Sequence, residues 1–504
     1  MAIISFLLIV LLIMVLFWLF HRFTFWSRQG VPHESLIKSA YTRYTRPLHI
    51  ADRDTYTKLG RVFGLFEGFR PCLMIGEPEY IRKVLVQEFD KFPNHRIFYD
   101  GDQISGKSLV ALENDEWKCV RKIMTSLFST GNLKKMKPSI DRCTSSLIEK
   151  LRKQIEISST VDMKKMMGAY SLDVLASTAF GIECLDSDKT NDVATIVSDF
   201  FGHHISIKSI ILLWFPFLIK HLNLYVFQYE ILTYLKSIVQ KIFDRSRLLK
   251  SQTNSNENQV DSVNKNFVTL LDEAQIKIKD KELDNETKEK FVIDNGVLLV
   301  IAGYDTTATT LSLIIYCLAI FPEHQQKIVD ELESLYLQLE RTELTIEEIN
   351  SLDYLNAVIH EVQRYFPVVP RIERRAGRDC TLGTIKLLKD SLVAIPSYAI
   401  NHDPSFFKNP DQFDPTRFLN NNSEQQTIIP DVFLPFAAGP RSCIGKRLAM
   451  LEIKICLISL LTHYRFSVSL ETKIPLDYHI GQPVSSPKDV KVIVTPRTRL
   501  LKQG

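Results

Sequence analysis

A cysteine does chemistry when its surroundings favour the thiolate, and the stretch from Phe436 to Gly445, FAAGPRSCIG, sets Cys443 directly before a helical pattern running from Lys446 to Leu461. Peptide N–H groups and the positive end of the helix dipole at such a start stabilise an anion. Gly439 and Gly445 permit backbone geometries or close approaches denied to larger residues, so the loop can lie against a flat group. Phe436 is placed to shield the sulfur, and Arg441 to pair with a carboxylate. The other seven cysteines, at 72, 119, 143, 184, 317, 380 and 456, form no CxxC pair. That scatter excludes a zinc module or disulfide framework, suits a reducing compartment and reads as small core hydrophobes.

Three further spacings carry chemical meaning. Within a helical run over 291–319 stands Ala302-Gly303-Tyr304-Asp305-Thr306. Ala302 and Thr306, four apart, share a face, while Asp305 is turned about 100° from Thr306 and should point elsewhere. A glycine followed by hydroxyl residues lets a helix widen locally. Glu361 and Arg364 lie one turn apart and can pair, and so do Trp117 and Arg121, an aromatic body beside a forked cation.

The elements that must position these residues are mostly helical. Periodicity predicts helices over 134–155, 165–180, 224–250, 287–319, 323–340, 353–365 and 444–463. A strand, a turn at Glu67-Gly68 and a second strand are expected between Arg61 and Pro78, with short strands near 391–396 and 489–495. The polar stretches Lys250–Asn266 and Asn420–Thr427 read as connectors. From Ala2 to Phe20 only Ser5 interrupts an apolar run, and 19 helical residues rise about 28 Å, nearly a bilayer core of roughly 30 Å. No cleavage site is visible, so the run reads as a retained anchor rather than a signal peptide. His21, Arg22 and Arg28 follow it, which leaves the body in the cytosol. No second spanning run is expected after Arg22. The patch Ile210–Ile219 is too short to span and reads as a membrane-dipping segment or an ordinary buried helix end. With 504 residues, 45% hydrophobic and 24% charged, the chain has ample core material, and a net charge of +4 excludes a nucleic-acid wrapper.

The pattern F-x-x-G-x-R-x-C-x-G is met at every specified position, and here the sequence closely resembles the cytochrome P-450 superfamily of haem-thiolate monooxygenases. A-G-x-D-T at 302–306, E-x-x-R at 361–364 with the following Phe413-Asp414-Pro415-Thr416-Arg417-Phe418, and W-x-x-x-R at 117–121 are similar to further motifs of that family, in the same order. The likeness covers roughly 50–500, with wording nearest to animal microsomal xenobiotic-oxidising members. The hinge after the anchor departs from the family's proline-rich form, being reduced to Val31-Pro32.

The resemblance implies a mainly α fold with small β-sheets, arranged as an anchor at 1–22, a linker at 23–49 and one haem-enclosing catalytic domain at 50–504. By it Cys443 is the axial iron ligand of haem b. Trp117, Arg121, Arg374 and Arg441 reach the haem propionates, and Phe436, Gly439 and Gly445 form the cofactor loop. Thr306 and Asp305 relay protons to O2. Val110, Ile301, Ala302, Val369 and Ile480 line an apolar pocket, and Glu361, Arg364 and Arg417 form a structural triad. The implied reaction inserts one oxygen atom into a lipophilic small molecule. Electrons come from NADPH through a separate NADPH-cytochrome P-450 reductase, with cytochrome b5 as a further partner. Lys118, Lys122, Lys446 and Arg447 would dock that reductase. The implied site of action is the endoplasmic reticulum membrane. A peroxide-rearranging isomerase or dehydratase, and a non-catalytic haem protein, are the alternatives.

Overall fold

The structure is a computed structural model, and it describes residues 2–96, 106–181, 229–253, 277–278, 281–282, 285–419, 429, 431–480, 482 and 484–497. The patch at 210–219, the loop at 420–427 and Cys184 lie outside the described residues, as does most of the connector at 250–266.

The helices that matter here are α1 (Ala2–Phe23), α2 (Leu36–Thr45), α3 (Leu48–Leu59), α4 (Asn114–Leu127), α5 (Thr130–Ile157), α6 (Met163–Phe180), α7 (Tyr229–Thr253), α8 (Asn285–Ile320), α9 (Pro322–Leu339), α10 (Asp353–Tyr365) and α11 (Lys446–His463). The chain is mainly helical, as its periodicity indicates. Start and stop signals explain several limits: Asp162 accepts from the Lys164 N–H at the start of α6, and Gly181, at φ 67°, closes it.

Helix α8 is the axis of the body. It is 36 residues long and apolar enough to cross a membrane, yet most of its apolar window is buried inside the protein. It packs along α6, and glycines set the closeness of that crossing. A Cβ at Gly168 would stand 2.8 Å from the Tyr304 hydroxyl, and one at Gly303 would stand 2.8 Å from Leu175. One hydrophobic core joins α5, α6, the second half of α8, α9, α10 and α11, and another fills the space between α4, α6, α7 and the first half of α8.

Strands Val62–Glu67, Arg70–Ile75, Leu392–Ile395 and Ile372–Arg375 form a sheet in that order, and its faces make a third core. The turn of its hairpin uses Gly68 at φ 57°. Strand 372–375 was not anticipated, because Ile-Glu-Arg-Arg carries too little apolar signal to be read as a strand. A second sheet orders Tyr464–Ser467, Lys491–Pro496 and Thr160–Asp162, tying the C-terminal region to the start of α6.

Helix α1 is wholly exposed along its apolar length, as a membrane anchor is. The segment expected to be a linker, 23–49, holds α2 and packs on the sheet. Trp26 is fully buried, its Nε1 donating to Leu65 O at 3.0 Å, and a Cβ at Gly64 would lie 2.4 Å from its ring. Phe23 stacks on Phe69 and meets Phe66 edge-on, and Trp18 lies 5.2 Å from the Phe69 ring.

Candidate active site

Cys443 sits on a loop folded back on itself just before α11. Its N–H donates to Phe436 O at 2.9 Å, and Ser442 N–H to Gly439 O at 3.0 Å. Gly439 takes φ 72°, and a Cβ there would stand 1.9 Å from the carbonyl oxygen of Leu85, so no other residue fits. Gly445 differs: its φ is −83°, and a Cβ would meet nothing within 4 Å. Among the described residues neither backbone strain nor a protein neighbour explains that glycine, and the open side of the loop leaves room for a flat group.

Cys443 is accessible on its surface, yet burial is the largest influence on it and pushes its thiol up. Both hold for a sulfur that faces an internal space. The opposing influences are the N–H of Gly445, then the Arg121 charge, the N–H of Lys446 and the Lys446 ammonium. Helix α11 starts with no side-chain cap, so its first N–H groups are free to serve the sulfur. Phe436 is half-buried beneath the Lys446 ammonium, 5.6 Å from its ring centre.

Three arginines gather beside this loop, and among the described residues none of them is hydrogen-bonded to a carboxylate, Glu113 acting on Arg441 only through its charge. Arg441 donates only to neutral acceptors: Nε to Pro93 O at 3.0 Å, Nη1 to Leu109 O at 3.2 Å, and Nη2 to Leu112 O at 2.8 Å and Asn94 Oδ1 at 3.3 Å. Its guanidinium lies 4.1 Å from the Trp117 ring centre, so Trp117 serves as a cation–π platform from inside the core. Burial, then Arg374 and Arg121, hold Arg441 down to about 9 against the opposing charge of Glu113. Arg374 is 1% exposed and is held by burial down to about 10. Nη1 bonds Glu373 O and His95 Nδ1, while Nε and Nη2 have no partner. Arg121 is likewise lowered by burial and feels the Cys443 charge. Buried cations with orphaned N–H groups are costly unless an anion completes them. The cluster therefore fits a dianionic, planar cofactor set against the Cys443 loop, as a haem with two propionates is.

His95 belongs to this cluster and was missed from the sequence. Burial, then Arg374, Arg441 and Arg121, push its imidazole well below its ordinary value, so it stands neutral among them. Its only sequence signal was the basic pair His95-Arg96, which has no periodicity to place it.

On α8, Ala302 is exposed although the helix is central, and Thr306 is half-accessible beside it. Thr306 Oγ1 donates to Ala302 O at 2.7 Å. Asp305 is turned away and 3% exposed. Its Oδ1 is held by Lys164 of α6 and approached by Thr309 Oγ1 at 3.4 Å and Ser486 Oγ at 3.5 Å, while Oδ2 has no partner. Val110 and Val369 are 43% and 42% exposed, and Ile301 and Ile480 are intermediate.

The remaining group is brought together away from solvent. Arg364 grips Glu361 with two bonds, 2.7 and 2.8 Å, both side chains being fully buried, and donates to the carbonyls of Asn401, Pro410 and Gln412. Arg417 Nε lies 3.5 Å from the same carboxylate, which also receives the Asp414 N–H. The group ties α10 to the 401–417 segment, with Glu361 and Arg364 fully buried and Arg417 partly exposed.

Comparison with known proteins agrees with this geometry. The family model described as Cytochrome P450 matches residues 35–494. Cytochrome P450 3A16 of Mus musculus is 32% identical over 486 residues, covering 94% of this chain and 93% of the relative. Cytochrome P450 3A2 of Rattus norvegicus is 32% identical over 499 residues, covering 95% and 94%. Cytochrome P450 3A7 of Homo sapiens is 32% identical over 436 residues, covering 85% and 84%.

Proposed function

The chain belongs to the cytochrome P450 family, a family of haem oxidoreductases, and from that premise we propose that it inserts one oxygen atom of O2 into lipophilic small molecules. Electrons are drawn from NADPH through a separate reductase, with cytochrome b5 as a second donor. The observation that carries the reading is the accessible sulfur of Cys443 set beside the buried Arg374 and Arg441 and the half-buried Arg121, none of which is hydrogen-bonded to a carboxylate among the described residues. Haem b, when bound, supplies the activation of O2.

Each residue then has a task. Cys443 is the iron ligand, stabilised as thiolate by the N–H groups of Gly445 and Lys446. Arg121, Arg374, Arg441 and His95 hold the propionate edge, and Trp117 fixes the Arg441 plane. Thr306 Oγ1, which donates to Ala302 O, keeps its lone pairs free to receive a hydrogen bond in the site and passes a proton by rotating away from that carbonyl. Asp305 serves it through its unpartnered Oδ2, while Lys164 keeps Oδ1 occupied. Val110, Ile301, Ala302, Val369 and Ile480 give the substrate an apolar wall. Helix α1 anchors residues 1–22 in the endoplasmic reticulum membrane. The 23–49 segment leads into the catalytic body at 50–504, which faces the cytosol and presents the exposed Lys118, Lys122, Lys446 and Arg447 to the reductase.

The test is the purified full chain reconstituted with reductase and screened with lipophilic compounds for changes in the haem spectrum. Product should form with NADPH consumption. Thr306→Ala should keep binding and reduction but lower product per NADPH as electrons divert to hydrogen peroxide. Cys443→Ala should remove the red-shifted band of the reduced carbonyl complex. Turnover without NADPH, or that band surviving in Cys443→Ala, would refute the reading.

A further inference from the structure

Against α8 a second carboxyl lies in an apolar seam. Glu452 of α11 is 3% exposed, and its Oε1 has no hydrogen-bond partner. Its side-chain bond is to Ser171 of α6, itself fully buried, whose Oγ donates to the carbonyl oxygen of Gly303 at 3.3 Å. The titratable groups facing this acid are Tyr170 of α6 and, on its own helix, Cys456, with Cys143 of α5 facing Tyr170. Burial raises both Tyr170 and Cys456, so neither is charged near neutral pH. The Tyr170 hydroxyl reaches Glu452 only at its backbone oxygen, 3.5 Å away. No cation meets the carboxyl among the described residues.

The position of Gly303 gives this contact its meaning. It follows Ala302, whose carbonyl accepts from Thr306 Oγ1, so two successive carbonyls of this turn are held by side-chain hydroxyls. Ser/Thr hydroxyls that bond helix carbonyls bend the helix, and glycine resists such bending least. Ser171 has one hydroxyl hydrogen to give. A neutral Glu452 donates its own proton to Ser171 Oγ, leaving Ser171 to donate to Gly303 O. An ionised Glu452 has none to give and takes the Ser171 hydrogen instead, which releases Gly303 O.

We propose that Glu452 and Ser171 form a protonation-controlled clamp on the Gly303 carbonyl, positioning the turn of α8 that carries Ala302 and Thr306. Loss of the Glu452 proton to solvent, followed by reorientation of the Ser171 hydroxyl, is the whole event. Glu452 is a positioning residue and touches no reacting atom. Its placement supports an event in an accessible pH range, since burial pushes the carboxyl up to about 8 against the Ser171 hydrogen bond, which favours the charged form. The inference rests on the haem reading only through one of its two probes.

The first probe is carbon monoxide bound to the reduced full-length protein, whose infrared stretch senses the groups α8 presents. Wild type should show a shift with a midpoint near pH 8, Glu452→Gln should lose the pH dependence, and Ser171→Ala should hold the alkaline frequency throughout. The second needs no haem: amide exchange over 303–307, corrected for its intrinsic pH dependence, should quicken above the same midpoint in wild type and be fast at every pH in Ser171→Ala. A merely structural Glu452 would change levels without changing the shape of either profile. A transition that persists in Glu452→Gln, or a wild type with no transition between about pH 6 and pH 10, overturns the proposal. If Glu452→Gln does not fold, Ser171→Ala decides, and its matching wild type sinks the clamp. An absent carbonyl band overturns the haem reading and leaves the exchange data to judge this one.

Discussion

Replacing Arg374 by methionine separates holding an anion from holding the fold. Burial lowers this guanidinium to about 10, between two and three tenfold steps below its ordinary value, and each step of proton affinity is about 1.36 kcal/mol, so its charge carries roughly 3 kcal/mol of unfavourable free energy. Both values lie above pH 7, so the penalty is fully present at neutral pH. It is relieved only as pH rises past the folded value near 10, where the folded state sheds the proton first. Methionine has similar reach and no charge, but it forfeits the bonds to Glu373 O and His95 Nδ1. The haem-free variant should therefore be about 1–2 kcal/mol more stable than haem-free wild type, after about 1 kcal/mol is deducted for those bonds. With haem the sign reverses. One charge-assisted bond to a carboxylate contributes about 1.5–3 kcal/mol, so haem should leave roughly 10- to 100-fold faster. Urea melts of the haem-free proteins and first-order transfer of haem to an excess of haem-free globin measure the two halves. A haem-free variant that is less stable, together with an unchanged transfer rate, would refute the argument.

The two loop glycines should behave differently. Gly439→Ala meets the Leu85 carbonyl in a left-handed backbone and should purify largely without haem, whereas Gly445→Ala should leave haem-free stability within about 0.5 kcal/mol and still weaken haem retention, read from the ratio of haem to protein absorbance. Lys164→Met leaves the Asp305 carboxylate buried without its ammonium and should destabilise by about 3–5 kcal/mol. Asp305→Asn in the same chain should restore much of it, and additivity in that double-mutant cycle would show the pair to be uncoupled. Arg364→Lys loses the fork that serves Glu361 and three carbonyls, and should lower the urea midpoint by an equivalent of about 3–5 kcal/mol while the folded fraction keeps wild-type product per NADPH.

What could be read in the sequence is what lies within one element. The long helix over 285–320, the shared face of Ala302 and Thr306 and the different direction of Asp305 all follow from a period of 3.6, and the start of α11 three residues after Cys443 follows from the pattern beyond it. Partners brought from afar could not be read. Lys164 lies 141 residues from Asp305, and nothing in Met-Lys-Lys-Met marks which lysine turns inward. The sequence marks Gly439 for a special backbone geometry or a close approach, and both are met, but the residue approached, the backbone of Leu85, lies in another segment and could not be read. The hinge reduced to Val31-Pro32 gives no sign in the sequence of a rigid linker, yet one tryptophan meeting one glycine suffices to dock it.

That docking has a mechanical consequence. Trp26 locked against Gly64 and Leu65, with Phe23 and Trp18 packed on Phe69, ties the end of α1 to the sheet. With α1 in a bilayer, that tie would restrain the rolling of the body and leave rotation about the membrane normal as its freest turn. A partner in the same membrane then meets it by searching two translations and one rotation rather than three of each. The orientational restriction that ordinarily slows the docking of two specific patches is reduced before any contact forms. Trp26→Ala would return the missing rotations, and encounter with a membrane-borne electron donor would slow while encounter with a soluble one would not.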